Sequence, residues 1–331
     1  MTSEIKKFSI DDNPIDIVYL WCDSSDENWR QKKNEELEKY GKSLDNDSVG
    51  ECRFVDNDEL RYSLRSLEKF APWINNIFIV TDKQVPEWLD VNNPKIRIID
   101  HTQILPSEAL PTFNSMAIET VLHKIPNLSE HFLYANDDMF FGNFVDKTFF
   151  FNEDGTPIFR FSKRRIIKKL YRRLYGYTIA KAYKMVKNTI GKSFPYFPHH
   201  NIDAYRKSDL EKCCLEFGEE FENTMLQKFR EKESIQRSIY EYYSLAKGIG
   251  SAKIVNNISA KFSAFLISQP IDSVLVELKE SKIRYVDKNK PCLFCFNDCL
   301  KTTDNDRLAM QKFLEKKFPK PSDFEKVVEG V

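Results

Sequence analysis

Carboxylate and amide side chains follow two apolar segments that the sequence pattern predicts to be strands. Asp23 and Asp26 come after the run 15–21, and Asn136, Asp137 and Asp138 come after the run 131–135. In sheets covered by helices, ligands bind beyond the carboxyl ends of the strands. One or two carboxylates combined with substrate phosphates are typical of Mg²⁺ sites. The pattern therefore predicts a ligand-binding edge, although a solvated turn explains an isolated Asp-Asp pair equally well.

A third apolar run, 293–296, leads into Asn297 and Asp298 in the same way. Three cysteines lie around this run: Cys292, Cys295 and Cys299. Three thiols without a nearby histidine are one ligand short of a structural zinc site, so we interpret them as buried thiols. The three strand ends predict that Asp23, Asp138 and Asp298 meet at one edge of a sheet.

Two arginines share one face of a predicted helix that begins after Asn57. Arg61 and Arg65 lie four residues apart, and unpaired like charges at this spacing cost ~0.2–0.5 kcal/mol. In a structural interpretation, Asp58 or Glu68 neutralises them. In a functional interpretation, an anionic ligand or the acidic strand ends do so.

An aromatic loop carries the adjacent histidines His199 and His200. A histidine in a loop is a better candidate for a general base than one on an apolar face. The alternative is that both are surface or structural histidines.

Arg230 precedes a predicted helix at 233–246, where an arginine can help the helix amides to hold phosphate. Alone, this feature does not differ from any surface arginine. Ser115 and Glu119 are four residues apart in another predicted helix, 115–124, and therefore share a face.

The elements that position these residues alternate between strands and helices in the first part of the chain. Apolar strands interleaved with helices are typical of an α/β sheet covered on both faces. We expect an α/β part over 1–160, a basic amphipathic helical segment over 161–195, and a mainly helical part over 196–331 that completes one catalytic domain.

Composition excludes several protein classes. The 331 residues include 41% hydrophobic residues, enough for a core, and 50 basic residues balance 50 acidic ones. A neutral total argues against nucleic-acid binding. No apolar run approaches the length of a membrane span, no secretory signal is evident, and seven cysteines are an odd number. We therefore expect a cytoplasmic protein.

Residues 163–192 contain 11 Lys or Arg and no Asp or Glu. The apolar residues between them predict one amphipathic helix, or two helices broken near Gly176. Three partners are open: the inner face of an anionic membrane, a polyanionic glycan, or the acidic remainder of this chain. Neutralising substitutions at Lys168, Lys169, Arg172 and Arg173 are expected to lower membrane binding.

Four segments resemble, in order, the conserved blocks of the Stealth family of sugar-phosphate transferases. The opening block resembles 16–26, the long second block resembles stretches between Arg53 and Asp138, the third resembles 198–203, and the fourth resembles 296–298. The chain departs from the usual opening Val-Asp-Gly-Ser-Asp, which here reads Cys-Asp-Ser-Ser-Asp. It also has Cys299 where the fourth block usually has a second Asp.

The resemblance implies a Rossmann-like nucleotide-sugar transferase core with helical additions. It also implies transfer of a sugar-1-phosphate from a UDP-hexose or UDP-N-acetylhexosamine to a glycan hydroxyl group, with Mg²⁺ or Mn²⁺ as cofactor. UMP leaves and a phosphodiester forms, in capsule or surface polysaccharide synthesis. The alternatives are a UDP-sugar glycosyltransferase that releases UDP, and a non-catalytic glycan- or membrane-binding protein.

The resemblance also implies roles for individual residues. The histidine pair supplies the catalytic base or nucleophile, Arg230 binds phosphate, and Asp298 lies near the diphosphate. Contacts with sugar, phosphate or metal are expected from Ser115, Glu119, Asn136 and Asp138. The metal ligands are expected among Asp137, Asp138 and Asp298, and further substrate contacts from Asp23, Asp26, Asn57, Arg61, Arg65 and Asn297.

Overall fold

The computed structural model describes residues 9–40, 44, 46–167, 173–255 and 271–327. The strands are β1 (Ile15–Leu20), β2 (Ile77–Thr81), β3 (Ile96–Asp100), β4 (His131–Asn136), β5 (Met139–Phe141), β6 (Ile158–Arg165), β7 (Tyr196–Pro198), β8 (Asp203–Arg206), β9 (Ser251–Ile254), β10 (Ser273–Glu277) and β11 (Leu293–Asn297). The α-helices are α1 (Glu27–Tyr40), α2 (Asn46–Val49), α3 (Glu59–Phe70), α4 (Ser115–Glu119), α5 (Leu174–Ile190), α6 (Lys207–Glu216), α7 (Gly218–Leu226), α8 (Ser238–Lys247), α9 (Glu280–Asn289) and α10 (Asp304–Lys317).

The main sheet has the strand order β3-β2-β1-β4-β8. The first four strands are parallel, and β8 is antiparallel to β4. In the β1–β4 register Leu20 lies opposite Asn136, so the segments after both strands leave the same edge of the sheet. The α/β class predicted from the sequence is confirmed.

Helices cover both faces of this sheet. Ile17 and Tyr19 of β1 pack in one cluster with Leu64 of α3, and Val18 packs on the opposite side with Ile239 of α8. Burial on both faces explains why the central strands are continuously apolar and do not alternate with polar residues.

A second sheet, β10-β11-β5, positions the acidic residues after β4. β11 runs antiparallel to β5, with Cys295 opposite Met139. The Phe296 amide donates to the Asp138 carbonyl at 3.3 Å, and the strand then continues to Asp298. Two acidic strand ends that are about 160 positions apart in the sequence are therefore neighbours.

The basic segment differs from its prediction. Residues 163–165 finish β6 and belong to no helix, α5 begins at Leu174, and Gly176 lies buried inside α5 without breaking it. Phe159 and Phe161 alternate with the charged Arg160, a period-two hydropathy pattern that indicates a strand, and all three side chains are buried. Lys168, Lys169 and Arg172 lie outside the described residues.

Other boundaries also move. The helix expected over 115–124 is α4 followed by a 3₁₀ turn at Leu122–Lys124, and the helix expected from 233 begins at Ser238. The part beyond 196, predicted to be mainly helical, contributes β8 to the main sheet and β11 to the second. Within the described ranges, none of the helices combines the length and apolar character that a bilayer span requires.

Candidate functional site

Asp23 and Asp26 organise the turn after β1. The Asp23 carboxylate accepts from the Ser25 amide at 2.8 Å and from its hydroxyl at 2.7 Å. Asp26 accepts from the Trp29 amide at 3.1 Å at the start of α1, and this bond, followed by one from Gln84, lowers the Asp26 pKa. Both carboxylates therefore have local structural partners as well as a place at the sheet edge.

Asp137 and Asp138 are neighbouring carboxylates between β4 and β5 that repel each other when both are ionised. The pKa of Asp138 is raised to about 6: burial is the main cause and the charge of Asp298 adds to it, whereas a hydrogen bond from Cys295 and the charge of Arg237 oppose the rise. Burial and then the Asp138 charge hold the pKa of Asp137 well above its usual range. Two carboxylates that resist ionisation together indicate a place for positive charge.

The Asp138 carboxylate has one engaged oxygen and one without a partner. The Cys295 thiol donates to Oδ2 at 3.4 Å, and Oδ1 is buried without a hydrogen-bond partner. Cys292 and Cys295 are buried thiols, as predicted, and Cys299 is half-buried.

Ser115, Glu119 and Arg230 lie together, on the side of α4 that faces the end of β4. Arg230 donates to the Ser115 hydroxyl at 2.6 Å. The Tyr134 hydroxyl lies 3.1 Å from oxygens of both Glu119 and Asn136. Burial raises the pKa of Glu119, and the charges of Arg237 and Arg230 oppose the rise.

His200 is held by an arginine that sequence reasoning missed. Arg237, directly before α8, lies 2.7 Å from His200 Nδ1 through Nη2 and 3.1 Å from Asp203 through Nη1. Its backbone amide donates to Glu119 at 2.9 Å. A charged residue just before an aromatic helix was the available signal, but the helix was predicted to start before it.

Three guanidinium groups lie close enough to affect this imidazole. Burial lowers the His200 pKa well below its usual range, and the charges of Arg237, His199, Arg230 and Arg53 lower it further. Arg53, the first residue of the second block, was also not anticipated as a site residue. These cations come from separate parts of the chain and meet near one imidazole. Their combined positive charge suits an anion with several charges.

The two histidines face different surroundings. His199 is buried, its ring hydrogen bonds to the backbone of Ser273, and Arg160 and Asp272 lie close enough to affect it. Its pKa is lowered to about 4, chiefly by burial, and its Nε2 has no partner. His200 is therefore the histidine that lies with the arginine group and Glu119.

Arg61 and Arg65 have a partner that neither interpretation of the sequence named. Arg65 donates to both oxygens of Glu325, at 2.6 and 2.7 Å, and Arg61 donates to one of them at 2.6 Å. Asp58 also pairs with Arg61, at 3.3 Å, as the structural interpretation allowed. Both arginines therefore have a structural role, and their expected contact with substrate stays a prediction.

Other expected contacts also have protein partners. The Asn57 side chain donates to Glu59 at 2.8 Å, and burial raises the Glu59 pKa to about 8. Asn297 is exposed at the end of β11, and Asp298 pairs with Arg307 at 2.9 Å. Asp298 thus lies beside Asp138, but its charge is already balanced.

The carboxylates fit a Mg²⁺ or Mn²⁺ ion that is shared with a ligand. Within the described part of the chain, no three His, Cys, Asp or Glu side chains cluster to hold a metal by themselves. The partnerless Asp138 Oδ1 and the raised pKa values of both carboxyl groups do suit a cation completed by ligand phosphates.

Residues 53–159 match the family model described as Stealth protein CR2, conserved region 2. The matched region includes Arg53, α3, α4 and the Asp137–Asp138 pair. These elements build one side of the site.

Curated relatives match over most of the chain. It is 34% identical to exopolysaccharide phosphotransferase SCO6021 of Streptomyces coelicolor, over 95% of this chain and 57% of that protein. It is 32% identical to capsular polysaccharide phosphotransferase fcs1 of Haemophilus influenzae, over 86% of this chain and 78% of that protein. It is also 32% identical to capsular polysaccharide phosphotransferase LcbA of Aeromonas hydrophila, over 93% of this chain and 85% of that protein. The chain thus spans little more than half of the Streptomyces protein and most of the other two.

Among solved structures, the galactosyltransferase LgtC in complex with donor and acceptor sugar analogues aligns with a TM-score of 0.43 at 11% identity. The alignment covers 93% of this chain and 98% of LgtC. A similarity of this size is too weak to identify a fold.

Proposed function

The chain belongs to the Stealth family of polysaccharide phosphotransferases, and we propose on that basis that it transfers a sugar-1-phosphate from a nucleotide sugar to a glycan hydroxyl group. The observation that carries the proposal is the group of Arg53, Arg230 and Arg237 around His200, beside the Asp137–Asp138 pair. A diphosphate bridging a cation and several guanidinium groups is the ligand that this combination suits.

In the proposed reaction the acceptor hydroxyl oxygen attacks the phosphorus that carries the sugar. A new P–O bond forms, and the bond from that phosphorus to the bridging oxygen breaks. The bridging oxygen leaves with its electron pair on UMP, and the hydroxyl proton passes to a base. A phosphodiester between sugar and acceptor results.

The charged groups of the site match the needs of this transfer. Arg230, oriented by Ser115, and Arg53 would neutralise charge on the phosphoryl oxygens, where most of the transition-state charge is spread. Asp138, with Asp137 beside it, would hold Mg²⁺ or Mn²⁺, which supplies further charge neutralisation when bound. Glu119, Tyr134 and Asn136 offer polar groups for the sugar hydroxyls.

The nucleotide product tests the proposal. Purified protein incubated with a panel of UDP-sugars, Mg²⁺ and short glycan acceptors should release UMP, and ³¹P NMR should show a phosphodiester. UDP as the only nucleotide product would instead identify a glycosyltransferase. Arg230→Gln should lower kcat by about 10²-fold or more, whereas Arg284→Gln, which alters an exposed pair with Glu280, should not.

We further propose that the basic segment binds an anionic membrane surface. Its described cations are mostly exposed, among them Lys163, Arg165, Lys184 and Lys187. Each is expected to contribute ~1 kcal/mol near anionic lipid.

Substituting these four residues by Gln should lower sedimentation with phosphatidylglycerol vesicles at low salt. The matched control replaces four exposed lysines elsewhere: Lys282, Lys288, Lys316 and Lys320. Equal recovery of both variants with the vesicles would exclude membrane binding by the basic segment. It would favour a glycan or the acidic remainder of the chain as the partner.

A further inference from the structure

The hydrogen bond between Arg237 and His200 determines which ring nitrogen can carry a proton. Arg237 Nη2 lies 2.7 Å from His200 Nδ1. A guanidinium group has five N–H donors and no acceptor, and it stays protonated in proteins. Nδ1 must therefore accept with its lone pair, which places the single proton of a neutral imidazole on Nε2.

Arg237 is itself firmly oriented. It is buried, contacts Asp203 at 3.1 Å, and lies with its guanidinium carbon 5.6 Å from the centre of the Tyr134 ring. Its backbone amide is fixed by Glu119. On the imidazole side, the Tyr175 hydroxyl lies 3.3 Å from the same Nδ1, and its ring packs edge-on against the imidazole.

We propose that Arg237 is a positioning residue that fixes His200 as the Nε2–H tautomer, so that the imidazole donates a hydrogen bond to the transferred phosphoryl group and does not act as the base. The inference rests on the proposed function for the identity of the acceptor group. The tautomer itself rests only on the contact between the two side chains.

A base at this position meets three obstacles. In the fixed tautomer Nε2 has no lone pair to receive a proton. If the ring turned over, the protonated ring formed by catalysis would present an N–H to the N–H of Arg237. The charges of Arg53, Arg230 and Arg237 also disfavour an imidazolium ion, consistent with the lowered His200 pKa. A neutral imidazole that donates to developing negative charge avoids all three conflicts.

The tautomer can be observed directly. In wild-type protein labelled with ¹⁵N-histidine, long-range ¹H–¹⁵N correlation should show His200 with a protonated Nε2 and an unprotonated Nδ1 throughout pH 6–8. His200→Gln serves to assign the signal. A protonated Nδ1, in a neutral or charged ring, would overturn the inference whether or not the protein transfers sugar phosphate.

The chemical role is tested by matched substitutions at His200. A Gln amide can donate from near the Nε2 position but cannot act as a base, so His200→Gln should keep at least 10-fold more kcat than His200→Ala. Equal kcat in two variants with wild-type circular dichroism would reject the donor role. If wild-type protein releases no UMP, the proposed function fails, while the NMR result still decides the tautomer.

The role of Arg237 is tested by a second pair. Arg237→Gln and Arg237→Met both remove the charge that faces Asp203, but only Gln keeps an N–H donor for Nδ1. Arg237→Gln should therefore keep a higher kcat than Arg237→Met, by about the factor of 10 expected for one hydrogen bond, with similar KM for the nucleotide sugar. Equal kcat values would assign Arg237 a purely structural role.

Discussion

The environment of Asp138 does not stabilise the fold. It suits a binding site. Its carboxyl group is buried next to Asp137, and one of its oxygens has no hydrogen-bond partner. A folded-state pKa of about 6, against 3.8 for the free side chain, means that folding disfavours the ionised form. The destabilisation therefore grows as pH rises from about 4 through 6.

Asp138→Asn should stabilise the protein while it abolishes transfer. With EDTA at pH 8, we expect the free energy of unfolding to rise by about 1–3 kcal/mol, and the gain should disappear below pH ~4. Urea unfolding at the two pH values measures the difference. Asp287→Asn, on the exposed face of α9, is the control and should change little. A loss of stability at pH 8 would contradict this electrostatic explanation.

At the same scale, the sequence predicted where individual residues lie on strands and helices better than it predicted which residues they contact. The position of Asp138 after a strand and the shared helix face of Ser115 and Glu119 are local information, whereas the expected ligand contacts came from the family resemblance and stay predictions. Arg237 was not anticipated, because its importance comes from a contact with His200, 37 positions away. Contacts between distant segments leave no periodic pattern in a sequence.

At the scale of elements, the pairing of β5 with β11 fixes the position of Asp138. Gly142 ends this pairing: its amide donates to the Cys292 carbonyl at 2.7 Å. A Cβ atom on Gly142 would lie 2.2 Å from the Pro291 carbonyl oxygen and 3.0 Å from the Phe294 ring. The Pro291 carbonyl oxygen cannot move away from this Cβ atom without separating β5 from β11.

Gly142→Ala should therefore weaken both stability and transfer. We expect a loss of about 1–3 kcal/mol in the free energy of unfolding and a lower kcat, because overpacking shifts β5 and the carboxylates before it. Gly218→Ala is the matched control, since Gly218 opens α7 with no atom within 4 Å of the added methyl group. Gly218→Ala should be neutral or stabilising by up to ~1 kcal/mol. Equal melting curves for the two variants would contradict the proposed tight approach.

The apolar strands of the main sheet were predictable because continuous burial gives a continuous apolar run. β6 was not predicted, because its basic residues 163–165 were grouped with the basic residues that follow. The alternation of Phe159 and Phe161 with the charged Arg160 was the better guide. Charge composition indicates which segments are exposed to solvent, whereas the period of apolar and polar residues distinguishes a strand from a helix.

At the scale of the whole molecule, Glu325 joins the end of the described chain to its first third. Its side chain is 2% exposed and accepts from Arg61, Arg65 and the Ser322 amide. Leu89 and Glu325 also form a β-bridge. This link explains how α3, which carries both arginines, is held against the chain beyond α10, although no local pattern predicted it.

Removing the Glu325 charge should destabilise the whole protein. Burial raises the Glu325 pKa, but hydrogen bonds from Arg65, Ser322 and Arg61 outweigh it and lower the pKa to about 2. A depressed carboxyl pKa contributes stability above the unfolded value of 4.5, and that contribution is lost as pH falls towards 2. Because Glu325→Gln leaves the buried Arg65 unpaired, we expect a loss of about 3 kcal/mol at pH 7.

The pH dependence separates this ion pair from a simple packing defect. The stability difference between wild type and Glu325→Gln should be constant from pH 6 to 8 and should shrink steadily below pH 4.5, as urea unfolding can measure. Glu280→Gln removes an exposed partner of Arg284 and should cost no more than ~0.5 kcal/mol at any pH. A difference that stayed at its pH 7 value down to pH 3 would show that the lost contacts are steric, because protonation of Glu325 would then change nothing.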